Sequence, residues 1–275
     1  MPENSRTYCA QVAIDQSEPL LGTAPQVDVW LLLEYRPTWE AKALQDNQLP
    51  GPVNLWLDEL IQRYAAQGKK ARPQFIRQRR SQDQQITFFI ARDGALQRYD
   101  VASHEELCAL DPDRTPGIEI TEQHYFVCSN GRRDLCCSRF GLPVYGRLRE
   151  VVGERAWETS HVGGHRYAAN VVTLPQGALY GHLSIDTVDG FVEEVEQNRL
   201  SLGYLRGRSA YPAVAQVAET QLEDIERLVS WDETSATFLT PTGERTIQVT
   251  RSAEPITVIP SCGAAPEAIY PLRPA

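Results

Sequence analysis

Cysteine is scarce in this chain, six in 275 residues, too few and too unevenly placed for a disulfide scaffold. Long apolar runs are missing too. Stretches such as Val29–Leu33 fall far short of the roughly 18 residues that a membrane span needs. Positive charge is in deficit, 27 Lys and Arg against 36 Asp and Glu, for a net charge of -9. That balance disfavours nonspecific binding to nucleic acid or to an anionic bilayer. There is no low-complexity tract and no repeat of fixed period. Met1–Arg6 shows neither a basic start followed by an apolar stretch nor an Arg-rich amphipathic pattern, so a cytosolic location is expected. In a reducing compartment, clustered cysteines point to metal or redox chemistry rather than to staples.

What is present is ordinary for a folded protein, with 42% hydrophobic and 23% charged residues. The length suits two compact units. Asp28–Tyr35 reads as a buried strand, Leu55–Ala66 as a helix started by Pro52 and Asn54, and Pro73–Gln78 and Ile86–Arg92 as strands joined by a polar connection. Gly94 marks a turn, and Ser103 with Glu106 suggests a capping box opening a short helix. The Pro112 to Gly117 stretch punctuates the chain, so we expect an N-terminal α/β unit over 1–116. A second unit, 117–205, has much the same order: strand His124–Cys128, a helix from about Pro143 to Val152, a strand at Trp157, then Asn170–Leu174 turning through Pro175-Gln176-Gly177 into Ala178–Leu183, and a helix Asp186–Leu200. Residues 206–275 are expected to hold a helix over Tyr211–Leu228 and three short β-rich runs between Ala236 and Ile259. Strands alternating with helices make the class α/β. The strand, helix, hairpin, helix order of the second unit is thioredoxin-like, and the first unit reads as a degenerate copy without ligands of its own.

Chemistry concentrates in two pairs. Cys128 and the vicinal Cys136-Cys137 follow directly on a strand, and His161-Val-Gly-Gly-His165 is a Gly-rich loop. Two thiolates and two imidazoles suit zinc or iron. A zinc protease is ruled out, because its His-x3-His needs a helix and a Glu between the histidines. A structural zinc finger fits the His pair, but Cys-x8-Cys, or Cys-x7-Cys through Cys136, is longer than its usual knuckle. A thiol-disulfide oxidoreductase would need Cys-x-x-Cys, which the chain lacks. The segment is also a basic island: Cys128 to Asn170 carries seven Arg against four acidic residues. Arg132, Arg133 and Arg166 lie close in sequence to the candidate ligands and could donate hydrogen bonds around them. Cys9, Cys108 and Cys262 read as small core hydrophobes, His104, His124 and His182 as ordinary hydrogen-bonded residues, and Trp39 and Trp157 as core.

These residues resemble the sucrase/ferredoxin-like family, thioredoxin-like 2Fe-2S ferredoxins in which two cysteine ligands are replaced by histidines. The resemblance rests on Phe126-Val127-Cys128, Gly131-Arg132-Arg133-Asp134-x-Cys136-Cys137 and Ser160-His161-Val162-Gly163-Gly164-His165-Arg166-Tyr167-Ala168-x-Asn170. It continues through Leu174-Pro175-x-Gly177, Tyr180-Gly181 and Arg206-Gly207-Arg208-Ser209, with weaker likeness at Pro19-Leu20-x-Gly22-Thr23-Ala24 and Trp39-x-x-Lys42-Ala43-Leu44. It implies a 2Fe-2S cluster on Cys128, Cys137, His161 and His165, with Cys136 beside it. Such a site, with two thiolates and two neutral imidazoles on a core of formal charge 2+, is neutral when oxidised and accepts an electron more readily than a four-cysteine one. The expected function is one-electron transfer to a redox partner protein or a small soluble acceptor, the basic island favouring a partner with an acidic face. A structural Cys2His2 zinc protein is the alternative.

Overall fold

The computed structural model describes residues 8–78 and 85–275; the Met1–Arg6 stretch and most of the polar connection after Gln78 lie outside them. A short helix, α1 (Cys9–Asp15), precedes β1 (Val29–Glu34), α2 (Gly51–Ala66), β2 (Ala71–Arg77), β3 (Ile86–Arg92) and β4 (Ala95–Val101). A 3-10 turn at His104–Ala109 and β5 (Ile118–Ile120) lead to β6 (His124–Cys128), α3 (Leu135–Val152), β7 (Ala156–Thr159), β8 (Val171–Leu174), β9 (Ala178–Tyr180), α4 (Val188–Glu196) and β10 (Leu205–Arg208). The remainder is α5 (Ala213–Ala218), β11 (Arg227–Trp231), β12 (Ser235–Thr240), β13 (Gly243–Arg251), β14 (Ile256–Val258), β15 (Glu267–Ile269) and β16 (Leu272–Pro274). Among the described residues no helix is long and apolar enough to cross a membrane.

Ten strands form one mixed sheet in the order β10-β9-β8-β6-β7-β2-β1-β3-β4-β5, so the α/β class stands. In the first half β1 runs parallel to β2 and antiparallel to β3, which continues antiparallel into β4. In the second half β6 runs parallel to β7 and antiparallel to β8, which continues antiparallel into β9. One topology therefore occurs twice, although no sequence period betrays it: strand order follows from patterning and connection length, which many residue choices satisfy. The halves meet edge to edge where β2 pairs antiparallel with β7, Ile76 opposite Thr159 and Arg77 opposite Glu158.

Alternation along the strands sorts the core into layers. Val29, Leu31 and Leu33 of β1 pack with Val53, Leu57 and Leu60 of α2, and Tyr125 and Val127 of β6 pack with Val144 and Leu148 of α3. The alternate residues Trp30, Leu32, Phe89, Phe126, Trp157 and Val172 join in one apolar layer common to both halves, and Cys128 and Cys137 belong to it. In the C-terminal part, β11, β12, β13 and β16 form a four-stranded antiparallel sheet, and β14 pairs with β15.

Several local expectations need correction. In α2, Leu55 is 64% exposed and Trp56 takes its place in the core; the helix begins at Gly51, a turn earlier than Asn54 suggests. Strand β4, whose Leu96 and Tyr99 are buried, was hidden by the interleaved Gln97, Arg98 and Asp100. The Ser103 segment is a 3-10 turn without a side-chain cap, and Glu106 instead accepts the Ala102 N–H. Helix α3 starts eight residues before Pro143 and carries that proline inside it. The Tyr211–Leu228 helix shrinks to Ala213–Ala218, and its end becomes β11.

Candidate metal centre

Cys128 ends β6, and its side chain falls on the face opposite Val127. Cys137 sits in the first turn of α3, which Asp134 caps by accepting the Cys136 N–H at 2.9 Å. One turn further on, a methyl group at Gly141 would overlap the Cys128 carbonyl oxygen, so glycine is what lets α3 lie directly against the end of β6. The two histidines flank the loop after β7. Gly164 there has φ +73°, and a side chain would also collide with Arg206 and Tyr167.

These elements bring the ligand atoms of Cys128, Cys137 and His161 within 4.8 Å of one another, with His165 reaching Cys137. His161 Nδ1 lies 3.8 Å from Cys128 Sγ and 3.7 Å from Cys137 Sγ, and His165 Nδ1 lies 3.9 Å from Cys137 Sγ. The imidazole rings stack with centroids 4.1 Å apart and planes 17° from parallel. Both thiols are buried, and both imidazoles are partly exposed. Contact with Cys137, His161 and the Val162 N–H holds the Cys128 thiol well below its ordinary pKa, while Cys137, beside the Cys128 sulfur, is pushed up. Burial and the neighbouring His161 lower His165 to about 4, so its ring is neutral and able to ligate.

The support comes from both halves. His161's carbonyl accepts from Arg72 at 3.1 Å and from Gln74 at 3.3 Å, both on β2. Ser160, next in the chain, donates to Gln74 at 2.5 Å and accepts the Phe75 N–H at 3.0 Å. From β10, the fully buried Arg206 donates to the carbonyls of Gly163 (2.9 Å) and Thr23 (2.6 Å) and to Asn170 Oδ1 (2.7 Å). Its hydrogen-bonding partners are all uncharged, and burial draws it down to about 10. Arg72 is likewise lowered by burial, against the opposing pull of Cys128. Two desolvated guanidinium groups without a carboxylate partner among the described residues thus stand beside the thiols. Sequence reasoning missed Arg72, Gln74 and Arg206 as supports because each reaches the site from a distant strand.

The arginines singled out by proximity in sequence are engaged elsewhere. Arg132 pairs with Glu40, and Arg166 pairs with the buried Glu18 at 2.6 Å. Arg147, Arg149 and Arg155 are also ion-paired, with Asp189, Glu154 and Glu196, so much of the basic island is neutralised within the fold. Arg133 is exposed and borders a cleft with Lys42, Asn130, Ser160 and His161. Cys136 points to Cys9 and Cys262 rather than to the histidines. Cys108 is exposed, not a core residue. His104 and His182 hydrogen-bond the carbonyls of Glu34 (2.8 Å) and Arg166 (3.0 Å), and His124 is buried between Phe89 and Phe126. Trp39 and Trp157 are in the core.

Two curated yeast relatives share the name altered inheritance of mitochondria protein 32. The one from Meyerozyma guilliermondii is 29% identical over 85 residues, 27% of this chain and 30% of the relative. The one from Debaryomyces hansenii is 25% identical over 123 residues, 35% and 45% respectively. The chain thus spans less than half the length of either. Among solved structures, a thioredoxin-like [2Fe-2S] ferredoxin from Aquifex aeolicus aligns with 34% of this chain and 97% of its own, at 19% identity and a TM-score of 0.30. The sucrase/ferredoxin-like pattern runs through residues 20–207, from the Pro19 to Ala24 segment that receives Arg206 to Arg206 itself, and the chain belongs to the sucrase/ferredoxin-like family.

Proposed function

We propose that the protein is a one-electron carrier whose 2Fe-2S cluster is held by Cys128, Cys137, His161 and His165, on a thioredoxin-like unit formed by β6, α3, β7, β8, β9 and α4. The observation that carries this reading is the convergence of two buried thiols and two imidazole Nδ1 atoms, with neighbouring sulfur and nitrogen within 4 Å, beside the buried Arg206 and the partly buried Arg72, neither with a carboxylate partner among the described residues. When bound, the cluster would supply the one-electron couple. The chain's residues do the rest. Cys128 and Cys137 offer thiolates from a strand end and a helix start, the histidines offer Nδ1, and the apolar layer of Phe126, Trp157 and Val162 keeps water from the sulfurs. Arg72 and Arg206 stabilise negative charge in the site and so favour the reduced state. The His161 side, open to the cleft with Arg133, is the natural approach for a redox partner protein or a small soluble acceptor.

One observation favours the zinc reading. Nitrogen and sulfur 3.7–3.9 Å apart also suit a single tetrahedral ion, whose Zn–N and Zn–S bonds of roughly 2.0 and 2.3 Å place such donors about 3.5 Å apart. A Cys2His2 zinc site is neutral at all times, however, and offers the two guanidinium groups no negative charge, whereas the cluster, neutral when oxidised, carries one when reduced. Protein purified anaerobically should be red-brown and contain about two iron and two acid-labile sulfides per chain. Zinc in that site, with no iron and no sulfide after anaerobic reconstitution, would refute the proposal.

A further inference from the structure

Cys136 is adjacent to Cys137, yet it belongs to a different group. Its Sγ lies 3.5 Å from that of Cys9, at the start of α1, and 3.4 Å from that of Cys262, in the loop between β14 and β15. Cys262 Sγ lies 3.8 Å from Cys9 Sγ. Three thiols from segments more than 120 residues apart therefore close a triangle. Packing accounts for one buried cysteine, but not for three whose sulfurs face one another. Zn–S bonds of roughly 2.3 Å in a tetrahedral site place the sulfurs about 3.8 Å apart, and the triangle has close to that size. A disulfide would need two of the sulfurs at about 2.05 Å and would leave the third without a partner.

A fourth donor completes the set. One Asp134 carboxylate oxygen and the three sulfurs all lie within 4.8 Å of one another, and Asp134 Oδ1 is 4.0 Å from Cys9 Sγ. The carboxylate is held in place by the N–H groups of Cys136 and Cys262, each at 2.9 Å. The Ala10 N–H points at Cys136 Sγ at 3.5 Å, the kind of donor that offsets thiolate charge around a metal. Ala168 and Phe140 pack around the group.

We propose that Cys9, Cys136, Cys262 and Asp134 form a structural zinc site, separate from the centre that uses Cys128 and Cys137. Zn2+ displaces the three thiol protons, with no change of oxidation state. The ion clasps α1 and the β14–β15 loop to the first turn of α3. Because Cys136 and Cys137 are consecutive in that turn, the zinc anchors the element that presents Cys137 to the other metal.

The test measures metals on full-length protein purified anaerobically from zinc- and iron-replete cells. About one zinc per chain is expected in addition to iron. It should persist in Cys128→Ala, which strips the iron, and fall at least about fivefold in Cys9→Ser and Cys262→Ser while iron and sulfide remain. As a check independent of folding defects at the triangle, cobalt-grown Cys128→Ala protein should bind one Co2+ with thiolate charge-transfer and tetrahedral ligand-field bands. Three results would each overturn the proposal: wild-type protein without zinc, zinc that follows Cys128 rather than Cys262, or an intact mass two protons light that maps to a disulfide among the three cysteines. The proposal does not depend on the electron-carrier reading: wild-type protein without zinc, or a disulfide among the three cysteines, leaves that reading standing, whereas zinc that follows Cys128 with no iron or sulfide overturns both.

Discussion

Removal of the Arg72 charge should lower the midpoint potential of the metal centre. Arg72 reaches across the seam between the two halves, and its Nη2 lies 3.1 Å from the His161 carbonyl. Burial disfavours its charge, and the Cys128 sulfur opposes that pull. At an effective dielectric constant of about 20, a unit charge on the order of 8 Å from an added electron is worth about 2 kcal/mol to it. For a one-electron couple that is on the order of 90 mV. Arg72→Gln should therefore shift the potential down by about that much, and Arg72→Lys, which keeps the charge, by no more than about a third of it. Spectroelectrochemical titration at fixed low ionic strength, with iron and sulfide measured on the same samples, reads both values. An upward shift in Arg72→Gln, or one under about 20 mV with the metal content unchanged, would show that this charge does not act on the electron.

Two further predictions concern the ligands. Cys137→Ala should abolish the visible spectrum, whereas Cys136→Ala should leave it close to wild type, because Cys136 Sγ faces Cys9 and Cys262; optical spectra and iron content decide, and bleaching confined to Cys136→Ala would reverse the assignment. Both histidines turn Nδ1 toward sulfur, which leaves Nε2 to carry a proton whose pKa rises on reduction. The potential should accordingly fall as pH rises between the oxidised-state and reduced-state pKa values, by up to about 59 mV per pH unit for one proton, and a potential that is flat from mildly acidic to strongly alkaline pH would exclude that coupling.

What was legible in the sequence is what depends on local pattern. The run Val29–Leu33 and the stretch Ile86–Arg92 read as strands because their apolar residues are contiguous, and β3 was placed to the residue. Pro143 misled because a proline is at home in the first turn of a helix, whereas here the Asp134 cap opens α3 earlier. Leu55 misled because spacing alone cannot tell which of two neighbouring faces, that of Leu55 or that of Trp56, turns to the sheet. At the site, spacing brought forward Cys128, the vicinal Cys136 and Cys137, and His161 with His165, since each pair lies within ten residues; Cys137 over Cys136 came only with the family resemblance. Nothing local marks Cys9 and Cys262 as partners of Cys136, and only the fold closes that triangle. The arginines followed the same rule in reverse: Arg132 and Arg166 are near the ligands in sequence yet pair with Glu40 and Glu18, while Arg72 and Arg206 are far in sequence and stand at the site.

The same distinction gives the first half of the chain its role. A copy lacking ligands could be dispensable packing, but β2 lies against β7 at the point where β7 runs into the histidine loop. Through that seam Arg72 and Gln74 hold the His161 carbonyl, Ser160 is bonded to both Gln74 and the Phe75 N–H, and the apolar layer around Cys128 includes Trp30, Ile76 and Phe89. Without β2, the buried Ser160 would lose two hydrogen bonds, each worth on the order of 1–3 kcal/mol, the partly exposed His161 would lose two more, and the thiols would lose one wall of their apolar surroundings. The topology is present twice, but the candidate centre is built once, with Cys128, Cys137, His161 and His165 from one copy and their support from the other.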